Sequence, residues 1–128
     1  MNPAAFLAVA VGGAFGSVLR YTISIYAGRA LGTGFPWGTL IINVTASFVL
    51  GALAELFALR WNAAPEIRIL LVVGVCGGYS TFSTFSLEVV TLMNRGATVA
   101  AALYAVLSVL LSVAALLGAL RLVRVLAT

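Results

Sequence analysis

Four times along its 128 residues the chain runs through roughly 18 or more predominantly apolar positions, each run long enough to cross a hydrocarbon core about 30 Å thick. Inside such a core no water satisfies backbone N–H and C=O groups, so a spanning run must close its own hydrogen bonds as a helix. The spans read about residues 4–27, 38–59, 67–93 and 97–123. Between them lie Gly28 to Pro36, Arg60 to Glu66 and Asn94 to Gly96, where glycine, proline and charge mark aqueous loops. Only 8% of residues are charged and 63% are hydrophobic, against about 25% and about 45–50% in soluble domains. No stretch is left for a soluble domain, and the expected fold is an all-α membrane protein with four transmembrane helices in one domain, residues 1–128. No basic residue precedes Arg20, so the first span reads as a retained helix rather than a cleaved signal peptide.

Seven arginines, no lysine and three acids give a net charge of +4. Basic residues at the ends of membrane helices are topological determinants, and no basic run or aromatic repeat here resembles a nucleic-acid module. Cys76 is the single cysteine and there is no histidine, so neither an intrachain disulfide nor a Cys/His metal site is expected. With no glycine-rich phosphate loop after a strand either, enzyme chemistry is not expected. After four crossings Arg60, Arg68, Arg121 and Arg124 fall on one side, Arg29 and Arg95 on the other, with Arg20 near the latter. That weak bias is compatible with one orientation or with insertion both ways up, which would permit an antiparallel dimer.

The third stretch departs from an ordinary lipid-facing helix at its centre, Cys76-Gly-Gly-Tyr-Ser-Thr-Phe-Ser-Thr-Phe-Ser86. Paired glycines disfavour helix, and the hydroxyls behind them can cap a new helix starting near Ser80 to Phe82. The expectation is a break near 77–81, with carbonyls at one half-helix end offering a cation site and amides at the other offering an anion site. The alternative is a continuous helix whose glycines permit close packing.

Polar side chains elsewhere recur every four residues, a slowly drifting stripe on a helix face. The stripes are Thr39, Asn43 and Ser47; Ser80, Thr84 and Glu88; and Tyr104, Ser108 and Ser112. A single Ser or Thr usually bonds back to its own helix, but three stripes of mostly neutral donors point to a wet path for a solute whose hydration shell must be replaced. Phe82 and Phe85 share one side of the half-helix after the break. Most such pairs are packing; edge-on to a path, their positive rims can hold a small anion without trapping it. Arg20 lies roughly 24 Å along the first span, on the face of Gly12 and Gly16, and either snorkels to the interface or faces a vestibule. Glu88 is the acid most embedded by sequence and a functional candidate, with ion pairing or network capping as the alternative. Glu55, close to Arg60, reads as interfacial.

At these residues the chain resembles the Fluc (CrcB) family of bacterial fluoride channels over essentially its whole length. The resemblance rests on Gly12-Gly-Ala-Phe-Gly-Ser-Val-Leu-Arg20, Gly38-Thr-Leu-Ile-Ile-Asn43, Gly77-Gly-Tyr-Ser-Thr-Phe-Ser-Thr-Phe-Ser86 with Glu88, and the stripe Tyr104, Ser108, Ser112. It implies a passive, fluoride-selective conductance in a bacterial inner membrane, through an antiparallel, dual-topology homodimer with two pores. Phe82, Phe85 and Asn43 would then face the fluoride path. Ser83, Thr84, Tyr104, Ser108 and Ser112 would hydrate the ion. Arg20 would lie at a vestibule, with Thr39 and Glu88 in its polar network. A structural sodium ion at the dimer axis would be held by the backbone carbonyls of Gly77 and Ser80. Two residues depart from the family pattern: Leu116 where a threonine would extend the fourth-span stripe, and Tyr79 where a leucine is expected.

Two other functions compete. A proton-coupled transporter of the small multidrug-resistance kind also has four short spans, but its chemistry needs an acid in the first helix, and none precedes Glu55. A non-conducting assembly or anchor subunit would carry no ion flux.

Overall fold

The computed structural model describes Met1–Thr128, and every regular element in it is helical. Helix α1 (Pro3–Leu31) begins where the side chain of Asn2 accepts from Ala4 N at 3.0 Å and the proline at the first position needs no amide partner. It ends at Gly32, whose φ of 82° is open to glycine at little cost. Helix α2 (Trp37–Leu59) starts directly after Pro36. The third apolar stretch is made of α3 (Pro65–Arg68), a π-helical run (Ile69–Cys76), the short α4 (Gly77–Tyr79) and α5 (Ser83–Asn94). A tight turn with Gly96 at φ 80° leads into α6 (Thr98–Ala127).

Four helical runs are long and apolar enough to cross a membrane: Pro3–Leu31, Trp37–Leu59, Pro65–Asn94 and Thr98–Ala127. This is a multi-pass membrane protein. The helices overrun the span limits read from sequence by up to four residues, most at the C-terminal ends of α1 and α6. Hydropathy marks where the hydrocarbon ends, whereas backbone hydrogen bonding continues into the interface until a glycine or the chain end stops it.

Two pairings organise the protomer. Along one, α2 lies against α6 with Gly51 at the contact: a Cβ there would sit 2.6 Å from the Leu116 carbonyl oxygen and 3.2 Å from Ala119 Cβ. Leu116, the departure at the end of the fourth-span stripe, is thus a packing residue against α2. Along the other, α1 lies on the π-helical run and α4. A Cβ at Gly12 would come within 2.5 Å of the Leu70 carbonyl oxygen, one at Gly16 would collide with the Val75 carbonyl, and one at Gly78 would lie 2.6 Å from the Gly13 carbonyl. Lipid gives apolar side chains no reason to prefer each other over acyl chains, so close backbone approach through small residues supplies the attraction.

Only 18 of 128 residues are buried, so most of the apolar surface faces outward. Glu55 is one of the buried polar exceptions, at 8% exposure, and accepts from Arg124 Nε at 2.9 Å. Its partner comes from α6, 69 residues away, and not from nearby Arg60, whose Nε instead donates to the Ala127 carbonyl. Both bonds fasten the end of α6 to the end of α2.

Replacing Gly16 by valine should force α1 off the π-helical run at a cost of about 3 kcal/mol, the upper end of the usual overpacking range, because backbone and not a flexible side chain blocks the added atoms. Loss of the monodisperse peak on size-exclusion chromatography in detergent, with Gly13→Ala as a tolerated control at a position open to space, checks this.

Candidate functional site

The α-helical backbone stops at Tyr79. Ser80 adopts extended geometry (φ −77°, ψ 157°), and helix resumes at Ser83. Gly77 is itself helical (φ −66°, ψ −37°), so the glycine pair is not where the chain leaves the helix; Gly78 serves the close contact with Gly13. The departure at Ser80 has a local cause and a distant one. Locally, Ser80 N and Ser80 Oγ both donate to the Cys76 carbonyl, at 3.0 and 2.9 Å. From α2, Asn43 turns its amide onto the next residue: Thr81 N donates to Asn43 Oδ1 at 2.9 Å, and Asn43 Nδ2 donates to the Thr81 carbonyl at 2.9 Å. The Thr81 amide would otherwise close on the Gly77 carbonyl four residues back, and that carbonyl is left without it.

Two more bonds fix the edges. Thr45 Oγ1 spends its proton on the Ile41 carbonyl at 2.7 Å, so the Tyr79 hydroxyl, 2.8 Å away, donates to Thr45. Tyr79 is therefore accommodated without stranding its hydroxyl. After the interruption, Thr84 N donates to Thr81 Oγ1 at 3.2 Å, which satisfies a free amide at the start of α5.

These anchors open a groove of about 320 Å³. Asn43 and Ser47 of α2 line it, with Ser80, Thr81 and Phe82 of the interruption, Phe85 of α5, and Ser108 and Ser112 of α6. No ionisable side chain is among its lining residues. The Phe82 and Phe85 ring centroids are 5.4 Å apart, with Phe82 77% exposed and Phe85 half-buried. Ser108 is 7% exposed and its Oγ is buried without a hydrogen-bond partner. An orphaned hydroxyl in such a place is costly unless something occupies the groove beside it. Asn43 Nδ2 carries a second N–H, beyond the one given to Thr81, that is likewise free to donate.

Tyr104 belongs to the same stripe by spacing but stands elsewhere. It is fully buried, its hydroxyl donates to Glu88 Oε1 at 2.9 Å, and its ring contacts Phe85 at 5.1 Å and Phe35 edge-on at 5.5 Å. Phe35, Thr39 and Glu88 line a second cavity of about 310 Å³ at the end of the molecule where α1 meets α2. Tyr104 thus sits between groove and mouth cavity, touching residues of both. Ser83 and Thr84 lie in the first turn of α5 beside the groove, without lining it, and neither does Gly77. Arg20 lines neither cavity; its Nε is buried without a partner on α1. No three side chains among Asp, Glu, Cys and His gather in one place.

Sequence reasoning missed the Thr81 backbone as Asn43's partner, the Thr45 to Tyr79 bond, and Phe35 and Arg95 at the mouth. Asn43 and Tyr79, polar groups at membrane depth, signalled that partners were needed but not which ones.

The family model for CrcB-like protein, Camphor Resistance (CrcB), matches residues 7–120. The chain belongs to the CrcB family. A CrcB relative from Nitrobacter hamburgensis, "Fluoride-specific ion channel FluC 1", is 56% identical over 120 residues, covering 94% of this chain and 95% of its own length. One from Rhizobium leguminosarum bv. trifolii, "Fluoride-specific ion channel FluC", is 51% identical over 121 residues, covering 94% and 97%. Another of that name from Agrobacterium fabrum is 49% identical over 116 residues, covering 91% and 93%. Similarity on this scale spans all the elements that build the CrcB groove, from Asn43 on α2 to Ser112 on α6.

Asn43→Leu removes partners from both backbone groups of Thr81, each worth about 1–3 kcal/mol when left buried and unpaired. Hydrogen exchange followed by mass spectrometry should show the segment around Thr81 exchanging far faster in this variant. Asn43→Asp, which keeps an acceptor for the Thr81 amide, should fall between it and the parent.

Proposed function

We propose that this chain is a passive, fluoride-selective channel that lets fluoride leave the cell down its gradient, relieving the toxicity of fluoride that has entered as the neutral acid. The observation that carries the reading is the groove: hydroxyl and amide donors beside two phenyl rings, lined by no formal charge. The name shared by the close relatives points the same way. Fluoride holds its water tightly, so a conducting path must offer replacement donors. The free Ser108 hydroxyl, the Ser112 hydroxyl and the second Asn43 N–H are such donors. The rims of Phe82 and Phe85 add weak positive potential without the full charge that would trap the ion. Ser83 and Thr84 hydroxyls and Tyr104 would act along the continuation of the path toward the mouth cavity, where Thr39 and Glu88 lie, and Arg20 would serve a vestibule.

The working unit in this proposal is an antiparallel, dual-topology homodimer with two pores in a bacterial inner membrane. The exposure of Phe82 in a single protomer supports it, since a ring bordering a polar groove calls for protein cover. The modest arginine bias is compatible with both insertions. A break at bilayer depth between Tyr79 and Ser83 is part of the same proposal, because non-helical backbone there is tolerated when protein or a wet cavity surrounds it. A structural sodium ion at the dimer axis fits the donors present: the Gly77 carbonyl released by Thr81 and the Ser80 carbonyl on extended backbone, from each of two copies. Bound there, it would neutralise converging carbonyl dipoles.

A channel is not an enzyme, and no catalytic role is assigned. Proton-coupled exchange of the small multidrug-resistance kind has no carrier in α1, which lacks any acid, and Glu55 is committed to Arg124.

Reconstituted in liposomes, the protein should release fluoride to an ion-selective electrode far faster than protein-free vesicles, and chloride should not follow. Efflux equal to empty vesicles contradicts the channel, and equal passage of both halides contradicts selectivity. Phe82→Ile and Phe85→Ile should each abolish the flux while leaving elution volume unchanged. For topology, Thr128→Cys in a Cys76→Ala background should give no covalent dimer with a short thiol-reactive cross-linker, since antiparallel copies place their C-termini on opposite membrane faces. Efficient linkage would mean parallel copies.

A further inference from the structure

The mouth cavity is lined by two ionisable side chains, Glu88 of α5 and Arg95 directly after its last residue, with Thr91 and Leu92 between them on the same face. Glu88 is held by Tyr104. Arg95 is placed by the way α5 ends. Its own N–H returns to Thr91 O at 3.1 Å, Gly96 N goes to Met93 O at 3.0 Å, and Ala97 N goes to Leu92 O at 2.9 Å, with Gly96 at positive φ. That closed turn aims the guanidinium across the mouth, where Nη2 donates to the Gly34 carbonyl at 3.1 Å.

Gly34 belongs to the loop between α1 and α2, which starts at Gly32 with positive φ and contains a second glycine with open space around it. Such a loop has wide conformational freedom. Phe35 O and Pro36 O accept from Trp37 N and Leu40 N at the start of α2, and the Arg95 bond ties the loop to the end of α5. The adjoining Phe35 packs against Trp37, with ring centroids 4.7 Å apart, and edge-on against Tyr104. Through Phe35 the loop therefore bears on the ring that separates groove from mouth and whose hydroxyl holds Glu88.

We propose that Arg95 is a positioning residue for ion passage: its bond to the Gly34 carbonyl latches the α1–α2 loop so that Phe35 braces Tyr104 between the two cavities. The inference rests on the channel reading, in which ions cross from groove to mouth past Tyr104. It assigns Arg95 no contact with the ion.

Trp61→Phe leaves Trp37, beside Phe35, as the only tryptophan and makes its emission a reporter of the loop. In that background Arg95→Ala should lower fluoride efflux from liposomes about tenfold, the low end of the effect of losing a charge-assisted hydrogen bond. It should also shift Trp37 emission to the red and raise its quenching by acrylamide. Arg95→Lys keeps a donor and a charge and should recover most of both; it also serves if the alanine variant fails to assemble. Unchanged efflux in an assembled Arg95→Ala dimer overturns the proposal. So does a loss of efflux that high salt restores while Trp37 emission stays put, since that is the behaviour of a bare attracting charge. A parent protein without efflux would sink the channel reading instead, and Trp37 emission would still decide whether Arg95 latches the loop.

Discussion

Two hydrogen bonds between the Asn43 side chain and the backbone of Thr81 are the constraint on which the rest of the structure depends. A primary amide presents a donor and an acceptor side by side, which is what one peptide unit lacks once it leaves a helix. By satisfying Thr81 from α2, Asn43 lets the chain step out of helix without leaving those two backbone groups unpaired. Tyr79, bound to Thr45 one half-turn further along α2, fixes the other edge of the step. The interruption is therefore held by its neighbour helix, and α2 is in turn seated along α6 through Gly51. Displacing any of these surfaces would strand buried polar groups, and that makes the geometry specific.

Neutrality is the second consequence. The groove beside the interruption gathers hydroxyls, an amide and two phenyl rings, while formal charges are kept away from it. Glu55 is matched by Arg124 at one end of the molecule, and Glu88 accepts from Tyr104 at the other. In a low-dielectric setting a fixed charge next to a path either repels an ion or holds it, whereas dipoles that replace water let it enter and leave. Tyr104 marks the boundary: its ring faces the phenylalanine of the groove, and its hydroxyl faces the carboxylate of the mouth.

Much of this architecture is legible in the sequence, because lipid as solvent leaves few choices. Long apolar runs dictate helices, and hydroxyls clustered between Ser80 and Ser86 announce backbone that needs local partners. The four-residue spacing puts Asn43 with Ser47, and Ser108 with Ser112, on faces that do meet around one groove. Periodicity could not show that Tyr104, besides contacting Phe85 of the groove, meets Phe35 and Glu88 on other elements. Nor could it separate the two roles of the central residues. The glycines read as the helix breaker, yet Gly78 is there for contact with Gly13, and the departure at Ser80 is arranged with a residue 38 positions from Thr81. The partner of Glu55 was out of sight for the same reason: Arg124 lies across the fold, out of reach of any local pattern.

The most direct test of the central claim is to delete the Thr81 N–H alone, by incorporating the α-hydroxy acid analogue of threonine so that residues 80 and 81 are joined by an ester. Side chains and net charge are untouched; the donor to Asn43 Oδ1 is lost, and the Ser80 carbonyl, now part of an ester, becomes a weaker acceptor. The account predicts that fluoride flux through the reconstituted protein is largely lost while the elution volume of the assembled protein is kept. Flux equal to that of the all-amide protein would contradict it, because the step in the backbone would then not depend on the bond that Asn43 makes.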